Sequence, residues 1–252
     1  MPRQIKRFGW IPDLPDHRDH LYAAPANVMQ TLPSSIDLTA QCPPVYDQGD
    51  LGSCTANAIA AAFEFNQMKQ QVTVFIPSRL FIYYNERAME GTIDSDSGAM
   101  IRDGIKSVAN QGVCPEDEWP YDISKFQVQP PDACYQDALN NKSILYQRLV
   151  QNLAQMKSCL ASGFPFVFGF SVYDSFEPAV DGDGHVPLPS LTEQALGGHA
   201  VLAVGYDDAS QWFIIRNSWG VRGQMNGYFT LPYAYVTDSN LADDFWTIRL
   251  VQ

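Results

Sequence analysis

Apolar residues along this chain follow two rhythms, and the rhythm changes past the midpoint. In the first part they recur at helical spacing. The Ala-rich run from Ala56 to Phe65 has no helix breaker and predicts a helix, with Ser53 as its N-cap. Pro77-Ser-Arg-Leu-Phe-Ile-Tyr-Tyr84 opens a second. A third follows Gly98, where Ile101, Ile105 and Val108 step by four and three along one face until Gln111-Gly112 stops it. Leu149, Leu153, Met156 and Leu160 predict another helix, ended by Gly163. Beyond it, apolar residues bunch into short runs that read as strands: Phe164–Val172, His199–Tyr206, Gln211–Arg216, Gly227–Leu231 and Phe245–Val251. Helices followed by mostly antiparallel strands imply an α+β fold.

Residues 1–35 show neither rhythm. Trp10-Ile-Pro-Asp-Leu-Pro-Asp-His-Arg-Asp-His-Leu-Tyr22 is rich in proline and aspartate and reads as an extended arm. A mainly helical part over 36–140 and a mainly β part over 141–252 then form one unit, with Trp119-Pro-Tyr121 and Pro130-Pro131 marking a connecting loop. A composition of 46% hydrophobic and 12% aromatic residues suits a packed core and argues against disorder. The net charge of −12 argues against a nucleic-acid partner and leaves no basic surface for anionic lipid. No apolar run approaches the roughly 20 residues of a membrane span. The N-terminus lacks the apolar stretch of a signal peptide, which leaves a cytoplasmic protein and a secreted one already relieved of its signal both open.

Candidate chemistry lies at the boundaries of these elements. In Gln48-Gly-Asp-Leu-Gly-Ser-Cys54, a thiol stands at the start of a helix, where the helix dipole favours the nucleophilic thiolate. Gln48 is placed to reach an oxyanion beside it. Gly197-Gly198-His199 begins an apolar strand, and the next strand ends in Asn217-Ser-Trp219-Gly220. A tight turn around Asp207–Ser210 makes the two strands a hairpin and sets His199 beside Asn217. An imidazole there takes the thiol proton and returns it to a leaving amine, while the Asn amide fixes the ring. Trp219 is placed to roof the His–Asn contact, and the glycine pair allows close backbone approach.

These residues, in this order, resemble the papain-like cysteine peptidases, and bacterial or phage members in particular. The resemblance covers roughly residues 36–252. It implies a helical left domain, an antiparallel β-barrel-like right domain and a cleft between them. Carried over residue by residue, Cys54 is the nucleophile, His199 the general base and acid and Asn217 its orienting group. Gln48 and the Cys54 N–H form the oxyanion hole. Gly98, Ala99, Met100, Gly197, Gly198 and Trp219 line the substrate, with Met100 and Ile101 making an apolar pocket and Asp243 or Asp244 at its floor. The implied activity is endopeptidase cleavage of a protein or peptide through a thioester, by a monomer, without metal or organic cofactor. An exopeptidase or amidase, and a binding protein with a permanently occluded cleft, are the alternatives. Leu32-Pro-Ser-Ser-Ile-Asp37 resembles the start of a mature enzyme. The arm before it is either a short propeptide or a structural arm packed by Trp10, Leu14 and Tyr22.

Departures from the family pattern concern the surroundings of the thiol. Leu51 stands where a second, disulfide-bonded cysteine is usual and Thr55 where an aromatic is usual. Ser97-Gly98-Ala99 keeps one glycine of a pair, and Val221 follows the Asn-Ser-Trp-Gly motif without a second tryptophan. Cys42, Cys114, Cys134 and Cys159 allow zero, one or two disulfides. His17 and His20 among Asp13, Asp16 and Asp19 read as solvated or ion-paired arm residues. Asp181-Gly-Asp-Gly184 reads as a turn, because Thr192 stands where a calcium loop needs an acid.

Overall fold

The structure, a computed structural model, describes residues 8–252, so the start of the arm, Met1 to Arg7, lies outside the described residues. In chain order the strands are β1 (Trp10–Ile11), β2 (Ser35–Asp37), β3 (Ala99–Met100), β4 (Ser143–Arg148), β5 (Phe166–Tyr173), β6 (Ala195–Asp207), β7 (Trp212–Arg216), β8 (Tyr228–Pro232) and β9 (Ala242–Val251). The helices are α1 (Ala26–Gln30), α2 (Cys54–Gln70), α3 (Arg79–Glu90), α4 (Ile101–Asn110), α5 (Asp132–Ala138), α6 (Leu153–Ala161), α7 (Phe176–Asp181) and α8 (Tyr233–Val236).

Helix α2 is the axis of the molecule. Every residue from Cys54 to Gln67 is buried, which the small alanine side chains permit by letting neighbours approach on all sides. It packs on β6 and β9 and against α3 and α4. The expected Ser53 cap is replaced: Ser53 makes no side-chain capping bond, and Asn57 Nδ2 instead donates to the Ser53 carbonyl (2.9 Å) and Oγ (3.1 Å). Helix α3 begins where Ser78 Oγ accepts from Phe81 N. The 101/105/108 face of α4 is fully buried, as its spacing predicts. Helix α6 starts later than the apolar spacing suggests. Asn152 caps it by accepting from Gln155 N, and Leu149 lies ahead of it, hydrogen-bonded to the Phe245 carbonyl. A strong local cap outweighs the continued periodicity.

Six strands form one path, β4-β9-β5-β6-β7-β8, with β2 added on β6, and every pairing in it is antiparallel. The expected barrel-like closure is absent among the described residues; the sheet is open. Strand β4 escapes the periodicity because its residues are mostly half-buried or exposed beside β9, which leaves no clean alternation. The core on the sheet is aromatic, with Phe168 and Phe245 stacked at 5.5 Å and 11° and Phe166 edge-on to Phe213. Strands β6 and β7 form the predicted hairpin, pairing Leu202 with Arg216 and Tyr206 with Phe213. Asp207 holds the turn by accepting from Ser210 N and Oγ.

The arm lies against the rest of the chain. Strand β1 runs parallel to β3, pairing Trp10 with Ala99 and Ile11 with Met100. Arg102 clamps the next stretch through Asp19 (2.7 Å), while Asp13 accepts from Arg102 N (2.9 Å) and Trp246 Nε1 (3.0 Å). Tyr22 is buried as expected, but Leu14 is 68% exposed and anchors nothing. All five cysteines are free. Among the described residues no helix is long and apolar enough to cross a membrane. Phe168→Ala removes the stacked centre of the sheet core and is expected to lower unfolding free energy by about 3–5 kcal/mol, read from denaturant midpoints. A loss under about 1 kcal/mol would show that the core lies elsewhere.

Candidate active site

Cys54 opens α2 and His199 lies in β6, and the sheet–helix contact brings them together. The Ala200 backbone N–H donates to Cys54 Sγ at 3.3 Å. His199 Nε2 lies 2.9 Å from Asn217 Oδ1, which also accepts from Ser218 N (2.9 Å). Because that oxygen can only accept, the proton sits on Nε2 and the Nδ1 lone pair is free. Nδ1 is buried and has no hydrogen-bond partner, so the thiol and the imidazole are neighbours without being bonded.

Gln48 is fully buried, and its amide is held at both ends. Nε2 donates to the Leu51 carbonyl (2.9 Å), and Oε1 accepts from Ser218 Oγ (2.7 Å). Ser218 is a site residue through this bond, and its adjacency to Asn217 is the signal for it in the sequence. Tyr121 is another, donating to the Gln48 carbonyl at 2.9 Å and meeting Ser53 Oγ. Thr55, which stands in place of the family's aromatic, donates to the buried carboxyl of Glu86 at 2.8 Å. Burial raises that carboxyl well above its ordinary range.

Aromatic rings enclose the imidazole. Trp219 lies 5.0 Å from the His199 ring, and Phe170, Phe176 and Phe8 lie within 6.2 Å. Burial in this apolar box brings the His199 pKa down to about 4, with the Asn217 bond opposing. Burial likewise pushes the Cys54 thiol up to about 12, against the N–H groups of Ala200 and Gly9. In this covered state desolvation opposes the helix dipole at Cys54 and favours the neutral form of both groups.

The arm packs over this site. Gly9 lies so close to the turn before the thiol that a Cβ on it would meet the Gly52 carbonyl at 1.7 Å, and its N–H bears on Cys54 Sγ. Its carbonyl accepts from Ala99 N at 2.8 Å. Gly98, Ala99 and Met100 on one side, and Gly197, Gly198 and Trp219 on the other, thus surround the arm strand. Phe8 lies over Gly197 and Trp219. The Trp10 indole fills a slot whose walls are Gly169 and Gly198, where any Cβ would overlap the ring. Its Nε1 donates to Asp244 Oδ2 at 3.0 Å. Asp244 is fully buried and its pKa is raised to about 7 by burial and by Asp13. Arg148 lies 3.3 Å from Asp244 and from Asp243 alike; the Asp243 side chain faces solvent, and Ile101 belongs to the core.

Comparison with known proteins bears on the fold and the family. The papain family cysteine protease description matches residues 32–245. Xylellain, a cysteine protease from Xylella fastidiosa, superposes with a TM-score of 0.92 at 49% identity, covering 99% of this chain and 98% of that one. A peptidase C1-like protein of Acanthamoeba polyphaga mimivirus is 45% identical over 98% of this chain and 88% of its own length. The procathepsin B of Trypanosoma congolense shares the fold, with a TM-score of 0.78 at 17% identity over 97% of this chain and 86% of that one.

Because Cys54 is fully buried, iodoacetamide labelling of the full chain at pH 7 is expected to be at least tenfold slower than labelling of the same thiol in the chain unfolded by denaturant. Equal rates would show that the thiol is already open to solvent.

Proposed function

This chain belongs to the papain family of cysteine proteases, and on that premise we propose that it is an endopeptidase held closed by its own N-terminal arm. The observation that carries the reading is Gly9 lying across Cys54 with Trp10 in the neighbouring slot. Division into an arm over 1–35, a helical part over 36–140 with the nucleophile and a β part over 141–252 with the base belongs to the same proposal. The covering strand passes the thiol with Phe8 on one side and Trp10 and Ile11 on the other. A groove that takes chain on both sides of the thiol supports cleavage within a polypeptide rather than at its end.

In the proposed reaction a substrate strand displaces the arm and pairs along Ala99. Cys54 Sγ passes its proton to His199 Nδ1 and attacks the scissile carbonyl. The Nε2–H bond to Asn217 holds the ring as it becomes an imidazolium. One N–H of Gln48 remains on the Leu51 carbonyl, and the other, with the Cys54 N–H, is directed to the developing oxyanion. Ser218 Oγ, bonded to Gln48 Oε1, keeps the amide nitrogen facing the reaction. The imidazolium then protonates the leaving amine, and water, deprotonated by the same imidazole, hydrolyses the thioester. Each step needs a wetter, more charge-tolerant pocket than the arm permits.

The Trp10 slot supports a side-chain preference. Its flat glycine walls suit an aromatic or a long extended side chain, and the Asp244 carboxyl at its floor suits one that ends in an N–H donor or a cation. Arg and Trp are therefore favoured there over Leu.

Phe8→Ala with Trp10→Ala in the full chain is expected to raise Cys54 labelling and peptide hydrolysis at least tenfold, and Cys54→Ala to abolish both. A loosened arm with a rapidly labelled thiol but no hydrolysis would favour an occluded binding protein. Asp244→Asn in the loosened background is expected to lower the Arg-over-Leu ratio of kcat/KM by about tenfold, equivalent to about 1.4 kcal/mol. An unchanged ratio would remove Asp244 from substrate selection.

A further inference from the structure

Cys114 and Cys134 lie outside the cleft and take no part in the reaction above. Cys114 sits in the loop that closes over the head of α3, its carbonyl accepting from Ser78 N at 2.9 Å. Cys134 lies in α5, and its Sγ donates to the Glu118 carbonyl at 3.8 Å. Both are buried, at 0% and 2% exposure, whereas Glu118 is exposed. The two Sγ atoms and a Glu118 carboxylate oxygen all lie within 4.8 Å of one another, the one such cluster of three ligand-bearing side chains found among the described residues.

We propose that Cys114, Cys134 and Glu118 form a binding site for a soft divalent cation of the zinc class. Ligand atoms on one tetrahedral zinc sit about 3.5–3.8 Å apart, so the cluster needs to contract by only about an ångström. The exposed Glu118 side chain supplies that movement by rotating. Thiolates select soft metals over calcium or magnesium, and three protein ligands leave a fourth position for water.

Charge around the cluster favours a cation over a disulfide. Apart from the two thiols' effect on each other, the charges bearing on the three groups are acidic: Glu118 on both thiols, Asp137 on Cys134 and Glu118, and Asp117 on Glu118. Burial comes first and raises all three; at Cys114 the Cys134 thiol and then Glu118 add to it, at Cys134 a bond from the Cys114 thiol opposes the rise from Glu118 and Asp137, and at Glu118 the two aspartates add to it. A disulfide would remove two protons and two electrons and leave the acidic field uncompensated. A divalent cation displaces the two thiol protons to solvent and neutralises that field, with no redox partner required.

The site joins two ends of one connector. Residues 115–133 run between the cysteines and carry Tyr121, whose hydroxyl meets the Gln48 carbonyl and Ser53 Oγ. A metal would therefore brace the segment that backs the thiol's loop without touching the reacting atoms. This inference is independent of the protease reading.

The test uses the full chain carrying Cys54→Ala, fully reduced, and titrates cobalt(II) as the probe metal. The expected result is one equivalent bound, with a near-ultraviolet thiolate-to-cobalt band and the visible bands of a tetrahedral site, both displaced by zinc(II). Cys134→Ser should abolish the thiolate band, and Glu118→Gln, an exposed change that leaves packing intact, should weaken binding at least tenfold. Absence of a thiolate band would overturn the proposal, as would an undiminished band in Cys134→Ser. A cross-link between the peptides of Cys114 and Cys134 that persists under reductant would overturn it too, because it leaves no thiols to ligate.

Discussion

The Ala200 N–H pointing at Cys54 Sγ is the contact on which the site depends, because it is where the sheet meets the first turn of the central helix. Strand β6 reaches that point only because it is paired with β5 and, further along, β2 on one side and with β7 on the other. Helix α2 reaches it because its alanines allow burial on every side. Neither element has slack, so the spacing of thiol and imidazole is inherited from the packing of the whole core. The hairpin then adds Asn217, and Ser218 next to it orients Gln48. Four side chains far apart in the sequence are thus fixed by one helix–sheet contact and one hairpin.

The same packing makes the protonation of the pair depend on what covers it. A helix N-terminus lowers a thiol pKa only when the thiol is solvated enough for the thiolate to survive. Here the thiol is fully buried, and rings of Phe8, Phe170, Phe176 and Trp219 surround the imidazole beside it. On the proposed reading, lifting Phe8 and Gly9 would expose the groove and shift the proton equilibrium in one movement. Asp244 couples to this as well, since its buried carboxyl accepts from both the Trp10 indole and the Asp13 N–H.

Much of this was legible in the sequence, for identifiable reasons. Residues whose chemistry and neighbours are local in sequence, such as Cys54 at a helix mouth or His199 and Asn217 across a hairpin, announce themselves. The three long helices and the strands of the sheet core were legible because their apolar spacing is strong. Strand β4 was not, since a largely exposed strand at a sheet edge has little alternation. The open sheet was not, because closure depends on the contacts of the first and last strands rather than on any strand's own pattern. The arm's path was invisible for a different reason. Gly9, Gly52, Gly169 and Gly198 matter through the side chains they lack, and an absence carries no period. Ser218 and Tyr121 act through groups they orient, which no motif around them advertises.

On the proposed reading the arm is an inhibitor that is covalently part of the chain it covers, and this changes how it competes. A separate inhibitor falls away on dilution, whereas a tethered segment keeps an effective concentration set by its linker, in the millimolar range for a short one. Closure is therefore first-order and independent of how much protein is present. A substrate in the micromolar range competes against that standing local concentration. A single cut within the linking residues would abolish it, after which the freed arm obeys ordinary mass action.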